Sequence, residues 1–154
     1  MAKPVARSVV EAFYRALAAS DFGALAPYLD DNVTWTISGP VDVLPFCGQR
    51  HGKDLVLKLL DRDIAVFLEK RRLVPSVTLI DGNRAAVFGK LVASRGDINR
   101  TISYRICQFV KFENERVVDY MSLIDSFDAV EQVLGQQITV PGRARAGDGE
   151  LVAI

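Results

Sequence analysis

Few side chains in this sequence could move a proton or carry a charge inside an apolar setting, and they lie far apart along the chain. His51 is the only histidine, and an imidazole titrates close enough to neutral pH to transfer protons. It sits in a Gly- and Pro-rich stretch, where it is either a pocket-rim residue or an ordinary turn residue. Asp125 stands just ahead of SFDAVEQV; it is either a general acid/base or a helix cap, and capping would lower its pKa and make it a poor acid. Lys90 and Arg105 interrupt apolar, strand-like segments. Pointing inward, they would favour an anionic ligand such as a carboxylate or enolate and stabilise developing negative charge. Pointing outward, they would pair with Glu113, Asp119 or a partner subunit, because a buried cation requires a partner. Trp35 offers a large apolar area and one N–H donor, either to a cavity or to the core.

The two cysteines, Cys47 and Cys107, show no C-x-x-C spacing and have too few histidines near them for a metal site. They read as reduced thiols, with Cys107 a small apolar filler rather than a nucleophile. No metal and no cofactor is implied.

These residues must be positioned by the elements around them. Val9, Val10, Phe13, Ala16 and Leu17 recur at helical spacing, and Ser8 with Glu11 fits a capping box, which predicts a helix over 5–19. Asp21 is placed to cap a second, shorter helix that buries Phe22, Leu25, Tyr28 and Leu29 and breaks at Asp30-Asp31-Asn32. Val33 to Ile37 alternates as a strand with one buried face. Residues 39–52 read as a long irregular loop at the rim of a cleft. Leu55 to Leu68 then marks a third amphipathic helix.

From residue 72 the period becomes two, with turns at Asp81-Gly82-Asn83, Arg95-Gly96-Asp97 and Glu113-Asn114-Glu115, predicting a four-stranded antiparallel meander. Its third strand, over 98–112, is apolar on both faces: Tyr104, Ile106 and Val110 oppose Cys107 and Phe109. One face should meet the helices and the other a second subunit. Arg105 shares the parity of Cys107 and Phe109, so it follows them toward a pocket if they face one. Asp125 or Ser126 caps a last helix ending at Gly135.

The result is one α+β domain over 1–135, helices first and then a curved, mainly antiparallel sheet, with a weakly periodic tail over 136–154. The chain's 154 residues, 49% hydrophobic, suffice for a substantial core. Nineteen basic and nineteen acidic residues cancel, leaving no long-range field for nucleic acid or an anionic membrane. The opening MAKPVARSVVEAF has no apolar signal core, and no run approaches the roughly 18 apolar residues of a spanning helix. A cytoplasmic, soluble protein is expected.

Three segments taken together, FYRALAASDFGALAPYLDDNVTW, the G-x-x-x-G stretch from Gly48 to Gly52, and ERVVDYMSLIDSFDAVEQV, resemble the SnoaL-like proteins of the nuclear-transport-factor-like superfamily, which includes ketosteroid isomerase, limonene epoxide hydrolase and polyketide cyclases. The resemblance spans 5–135 and implies a cone-shaped roll, a deep apolar pocket for a small organic molecule, and a homodimer through the outer sheet face. It implies an activity far less firmly, because the scaffold hosts unrelated chemistries. The isomerase's base aligns with Ile37, and its oxyanion donors align with Phe13 and Cys107, with Tyr14 one residue off. The epoxide hydrolase set aligns with Val92, Lys90, Ser122, Trp35 and Ile37, and only Lys90 keeps the charge type. A single pocket carboxylate, as in several cyclases, would be Asp125.

The expected site is therefore Asp125 and His51 for catalysis, with Trp35, Ile37, Phe13, Lys90, Arg105, Cys107, Phe109 and Ser122 around the ligand. Cofactor-independent acid/base isomerisation, cyclisation or hydration is one expectation. A non-catalytic ligand-binding or dimeric accessory module is the other.

Overall fold

A computed structural model describes residues 2–139; the predicted tail from 140 onward lies outside the described residues. Helix α1, Arg7–Ala18, buries Val10, Phe13 and Ala16 along one stripe. It lies within the predicted 5–19, but its cap is not Ser8. Val9 and Val10 donate to the Ala6 carbonyl, so Ser8 is already inside the first turn and cannot form the predicted capping box; Ala6 is the cap, with no side-chain bond. Asp21 does cap α2, Phe22–Leu25, accepting from the Ala24 N–H at 3.0 Å. A single 3-10 turn, Ala26–Tyr28, follows.

Strand β1, Leu29–Ser38, starts ahead of the Asp30-Asp31-Asn32 run that was read as a helix breaker. The polar run is instead an irregularity within the strand, where the pairing with β6 shifts between Leu29 and Thr34 and Asp30 Oδ1 accepts the Asn32 N–H at 2.9 Å. The loop predicted over 39–52 is shorter too. Its end, Gly48–His51, is strand β2, paired antiparallel with β1. Alternation in β2 sets His51 opposite Thr34 and Gln49 opposite Thr36.

Helix α3, Lys53–Lys58, runs into a widened π-type turn, Leu59–Asp63. The meander follows as predicted: β3, Glu69–Asp81; β4, Arg84–Arg95; β5, Arg100–Glu113; β6, Arg116–Ile124. Helix α4, Ser126–Leu134, closes the described chain, ending at Gly135, whose φ of 70° is the left-handed conformation glycine accepts without a Cβ penalty. The six strands form one curved, unclosed sheet in the order β2-β1-β6-β5-β4-β3, in which only the β1–β6 pair is parallel.

The concave face of that sheet carries the core. On β5 the buried row is Ile102, Tyr104, Ile106, Gln108, Val110 and Phe112. The opposite row, Ser103, Arg105, Cys107, Phe109 and Lys111, faces outward. The physical reason lies in Arg105 and Lys111, since turning that row inward would desolvate two cations.

A bulge fixes the curvature of β3 against β4. Pro75 pairs with Gly89 and Val77 with Phe88, leaving Ser76 as the extra residue, and the Ser76 hydroxyl donates to the Phe88 carbonyl at 3.0 Å. A Cβ on Gly89 would lie 2.3 Å from the Val74 carbonyl oxygen, so only glycine fits there. Gly89→Ala should lower stability by about 1–3 kcal/mol, measured by denaturant unfolding; a loss within ~0.5 kcal/mol would show that the bulge can relax.

Asp125 occupies the N-cap of α4 and accepts the Asp128 N–H. Its other oxygen receives the Arg105 guanidinium at 2.9 Å. The carboxylate thus ties the last helix to the outer face of β5, which corrects its expected catalytic placement. Asp125→Ala should cost about 0.5–2 kcal/mol of stability, whereas Asp125→Asn keeps the cap and loses only an exposed ion pair worth ~0–1 kcal/mol. Equal losses in the two variants would show that the ion pair, not the cap, anchors the helix.

Candidate functional site

Between the helices and the concave face lies a cavity of about 90 Å³. Its walls are mostly aliphatic and aromatic: Ile37 from β1, Phe46 from the loop, Leu60 and Ile64 from the widened end of α3, Leu91 from β4 and Ile106 from β5. Alternation on three neighbouring strands sends a short set of polar groups into this apolar space. Trp35 comes from β1, Tyr120 and Ser122 from β6, and Tyr104 and Gln108 from β5.

Trp35 and Tyr120 are register partners across the parallel β1–β6 pair, and their rings stack at 3.5 Å with an interplanar angle of 10°. Three polar atoms on this wall are buried and make no hydrogen bond of good geometry among the described residues: Trp35 Nε1, Gln108 Oε1 and Ser122 Oγ; of these, the Gln108 and Ser122 side chains nonetheless lie beside the Tyr120 phenol closely enough to act on it. A buried polar atom left unpaired costs about 1–3 kcal/mol. Three such atoms on one cavity wall are therefore poor core design and good binding-site design.

Burial raises the Tyr120 phenol well above its ordinary pKa, and the nearby Tyr14 phenol adds to the shift; the Ser122 hydroxyl and the Gln108 amide, which favour the phenolate, do not offset it. Tyr104 is raised mainly by burial as well, against a smaller opposite pull from Arg71. Both are neutral phenols at physiological pH, able to donate a hydrogen bond but not to act as bases.

Arg71 brings a cation to the same space. Its side chain lines the cavity and donates to the Leu60 carbonyl at 2.6 Å and to the Leu68 carbonyl at 3.4 Å. Ala18, Ser20, Leu60, Leu68 and Arg71 also line an adjoining surface groove, which places the mouth there. Burial lowers the Arg71 pKa, with Tyr104 and Asp61 acting in the opposite direction.

Of the residues predicted from sequence, Trp35, Ile37 and Ser122 lie on the cavity wall. The others do not. Phe13 is fully buried but packs edge-on against Phe112 and Tyr14 in the core. Lys90 and Arg105 are register partners on the exposed outer face, and Cys107 and Phe109 share that face. His51 is exposed, with Nδ1 3.3 Å from the Thr34 hydroxyl; the strand it unexpectedly belongs to turns it outward. Cys47 is the buried thiol, raised by burial to about 11.

Arg71, Tyr104, Gln108 and Tyr120 were missed. Tyr104 and Gln108 carried a signal, because an uncharged Gln inside an otherwise apolar alternating row marks the inner face. Arg71 lies in Lys70-Arg71-Arg72, a basic run that on charge alone reads as a solvated helix end, and it is instead near the start of β3. Among the described residues no three His, Cys, Asp or Glu side chains cluster closely enough to hold a metal ion, and no helix is long and apolar enough to cross a membrane.

The sequence matches the family model of the SnoaL-like domain over residues 10–120. A comparison with curated proteins finds no match. Among solved structures, a protein of Rhodopseudomonas palustris provisionally called an isomerase is 35% identical, with a TM-score of 0.70 over 82% of this chain and 93% of that one. A nuclear-transport-factor-like protein of unknown function from Burkholderia pseudomallei is 21% identical, with a TM-score of 0.72 over 86% and 96%. An epoxide hydrolase of the limonene-epoxide-hydrolase-like kind from M. tuberculosis is 18% identical, with a TM-score of 0.66 over 83% and 88%. The family match covers most of the chain and the fold agrees with it: this protein belongs to the SnoaL-like domain family.

Proposed function

We propose that the protein takes one small, largely apolar organic molecule into the cone and acts on it without a cofactor, as an isomerase, cyclase or hydratase. The observation that carries this reading is the set of unpartnered polar atoms, Trp35 Nε1, Gln108 Oε1 and Ser122 Oγ, buried together on one cavity wall. A ligand hydroxyl, which both donates and accepts, can meet Gln108 Oε1 as well as Trp35 Nε1, whereas a ligand carbonyl meets only the donors Trp35 Nε1 and Ser122 Oγ. An engineered core cavity of ~150 Å³ holds benzene; the space here is smaller, about 90 Å³, so it encloses a short branched chain, or a single ring only with its polar end extending into the adjoining groove. Neutral phenols in a dry site stabilise an oxyanion as it develops, so Tyr120 and Tyr104 are the donors and Trp35 and Ser122 complete the polar set. The isomerase name carried by the R. palustris relative agrees with proton transfer beside a carbonyl.

A second reading, a non-catalytic ligand carrier, is favoured by one fact: no carboxylate or imidazole is among the residues lining the cavity. Either reading uses the same wall. The free thiols, Cys47 and Cys107, fit a reducing cytoplasm, and the domain itself is taken as 1–135 with a separate tail. Titration with cyclohexanone, followed by the Trp35 indole resonance, should saturate. In Tyr120→Phe, which keeps the stacked ring, affinity should fall about tenfold, equivalent to ~1.4 kcal/mol. Unchanged affinity would remove the phenol from the proposal, and an unresponsive indole would remove the pocket.

The outer sheet face supports a homodimer. Val77, Phe88, Cys107 and Leu123 form one register row across four strands, and Leu79, Ala86, Phe109 and Met121 the next. Their large apolar members are exposed, and such contiguous faces mark association surfaces. Sedimentation should give twice the chain mass, and Phe109→Glu should shift it to the monomer; a wild-type monomer would overturn the dimer.

A further inference from the structure

Arg71 is held inward by local backbone features. Between the register pairs Glu69–Ser94 and Arg72–Val92, β3 has one residue more than β4, a bulge that re-aims the side chains on either side. Lys70, within it, has φ 48°, a left-handed conformation that costs a non-glycine residue about 1–3 kcal/mol. The outcome is that Arg71 shares the inward parity of Leu73, and both line the cavity. Of the two carbonyls it reaches, Leu60 lies within the widened turn that ends α3 and Leu68 just ahead of β3. They fix the guanidinium at the mouth and use two of its five N–H donors.

No carboxylate pairs with it. Among the described residues no Asp or Glu oxygen forms an ion pair with Arg71, whereas Arg95 and Arg105 each have one. Asp61, on the adjoining groove, favours the charged form without reaching it in an ion pair, so the cost of partly burying the guanidinium is offset only in part, and the donors not used on the two carbonyls are left for whatever fills the cavity.

Resting on the reading of the cone as a small-molecule pocket, we infer that the ligand is a small organic monoacid, its apolar body in the cavity and its carboxylate bound by the Arg71 fork at the mouth. The planar fork matches a carboxylate bidentately. A phosphate dianion fits less well, because the adjoining groove sets Asp61 and Glu69 beside Lys70 and Arg72 and so offers little excess positive charge.

The test compares benzoate with benzyl alcohol, probes of similar shape and different charge, by calorimetric titration of the full chain at two ionic strengths. Wild type should prefer benzoate at least tenfold, with a preference that shrinks as salt rises. Arg71→Gln should lose that preference while binding benzyl alcohol within about twofold of wild type, and Arg71→Lys should fall between them. Should Arg71→Gln not fold, the wild-type preference, its salt dependence and the Arg71→Lys value decide the matter. Equal wild-type binding of the two probes, or equal loss of both in the folded variant, would overturn the acid anchor and leave the pocket standing. Binding of neither probe would overturn the pocket and the anchor together.

Discussion

Because successive residues of a strand must face opposite sides of the sheet, the parity of β5 decides what chemistry the cone can contain. One row, from Ile102 to Phe112, meets the helices; the other, from Ser103 to Lys111, cannot. Once that row is set, the register hands the same choice to β4 and β6. Lys90 is carried outward with Arg105, and Tyr120 and Ser122 are carried inward with Gln108. The cavity thereby receives hydrogen-bonding groups and almost no charge, Arg71 being the exception.

This arrangement explains how much was legible from sequence. The meander, its turns, the Asp21 cap and the last helix all rest on short-range patterns, and these were readable. The two faces of β5 were also visible as two apolar rows. Which row turned inward was not legible from the apolar residues, because both rows carry them. Weighing the desolvation of Arg105 and Lys111 against the uncharged Gln108 would have settled it from residue types alone. His51 failed for a different reason. Four residues, GQRH, carry too little pattern to declare a strand, and only pairing with Thr34 and Thr36 makes them one. Arg71 lay beyond reach, since its direction comes from a bulge and a left-handed Lys70 that no periodicity announces.

The family's known catalytic sets also assumed a particular chemistry at positions that here hold Ile37, Phe13 and Cys107. The polar side chains that the sheet sends to the cavity wall lie elsewhere, on β1, β3, β5 and β6, in keeping with one scaffold hosting unrelated chemistries. Asp125, the carboxylate nearest in sequence to that wall, is committed to α4 and Arg105.

The stacked pair on the wall has an optical consequence. Trp35 is the only tryptophan, it is buried, and its indole lies flat on Tyr120 with its N–H unclaimed. When the protein is excited at wavelengths beyond the absorption of its four tyrosines, its ultraviolet emission therefore originates from a single indole on the wall of the proposed pocket. Its colour reports the polarity of the cone's interior, so the protein carries a built-in gauge of occupancy that needs no label.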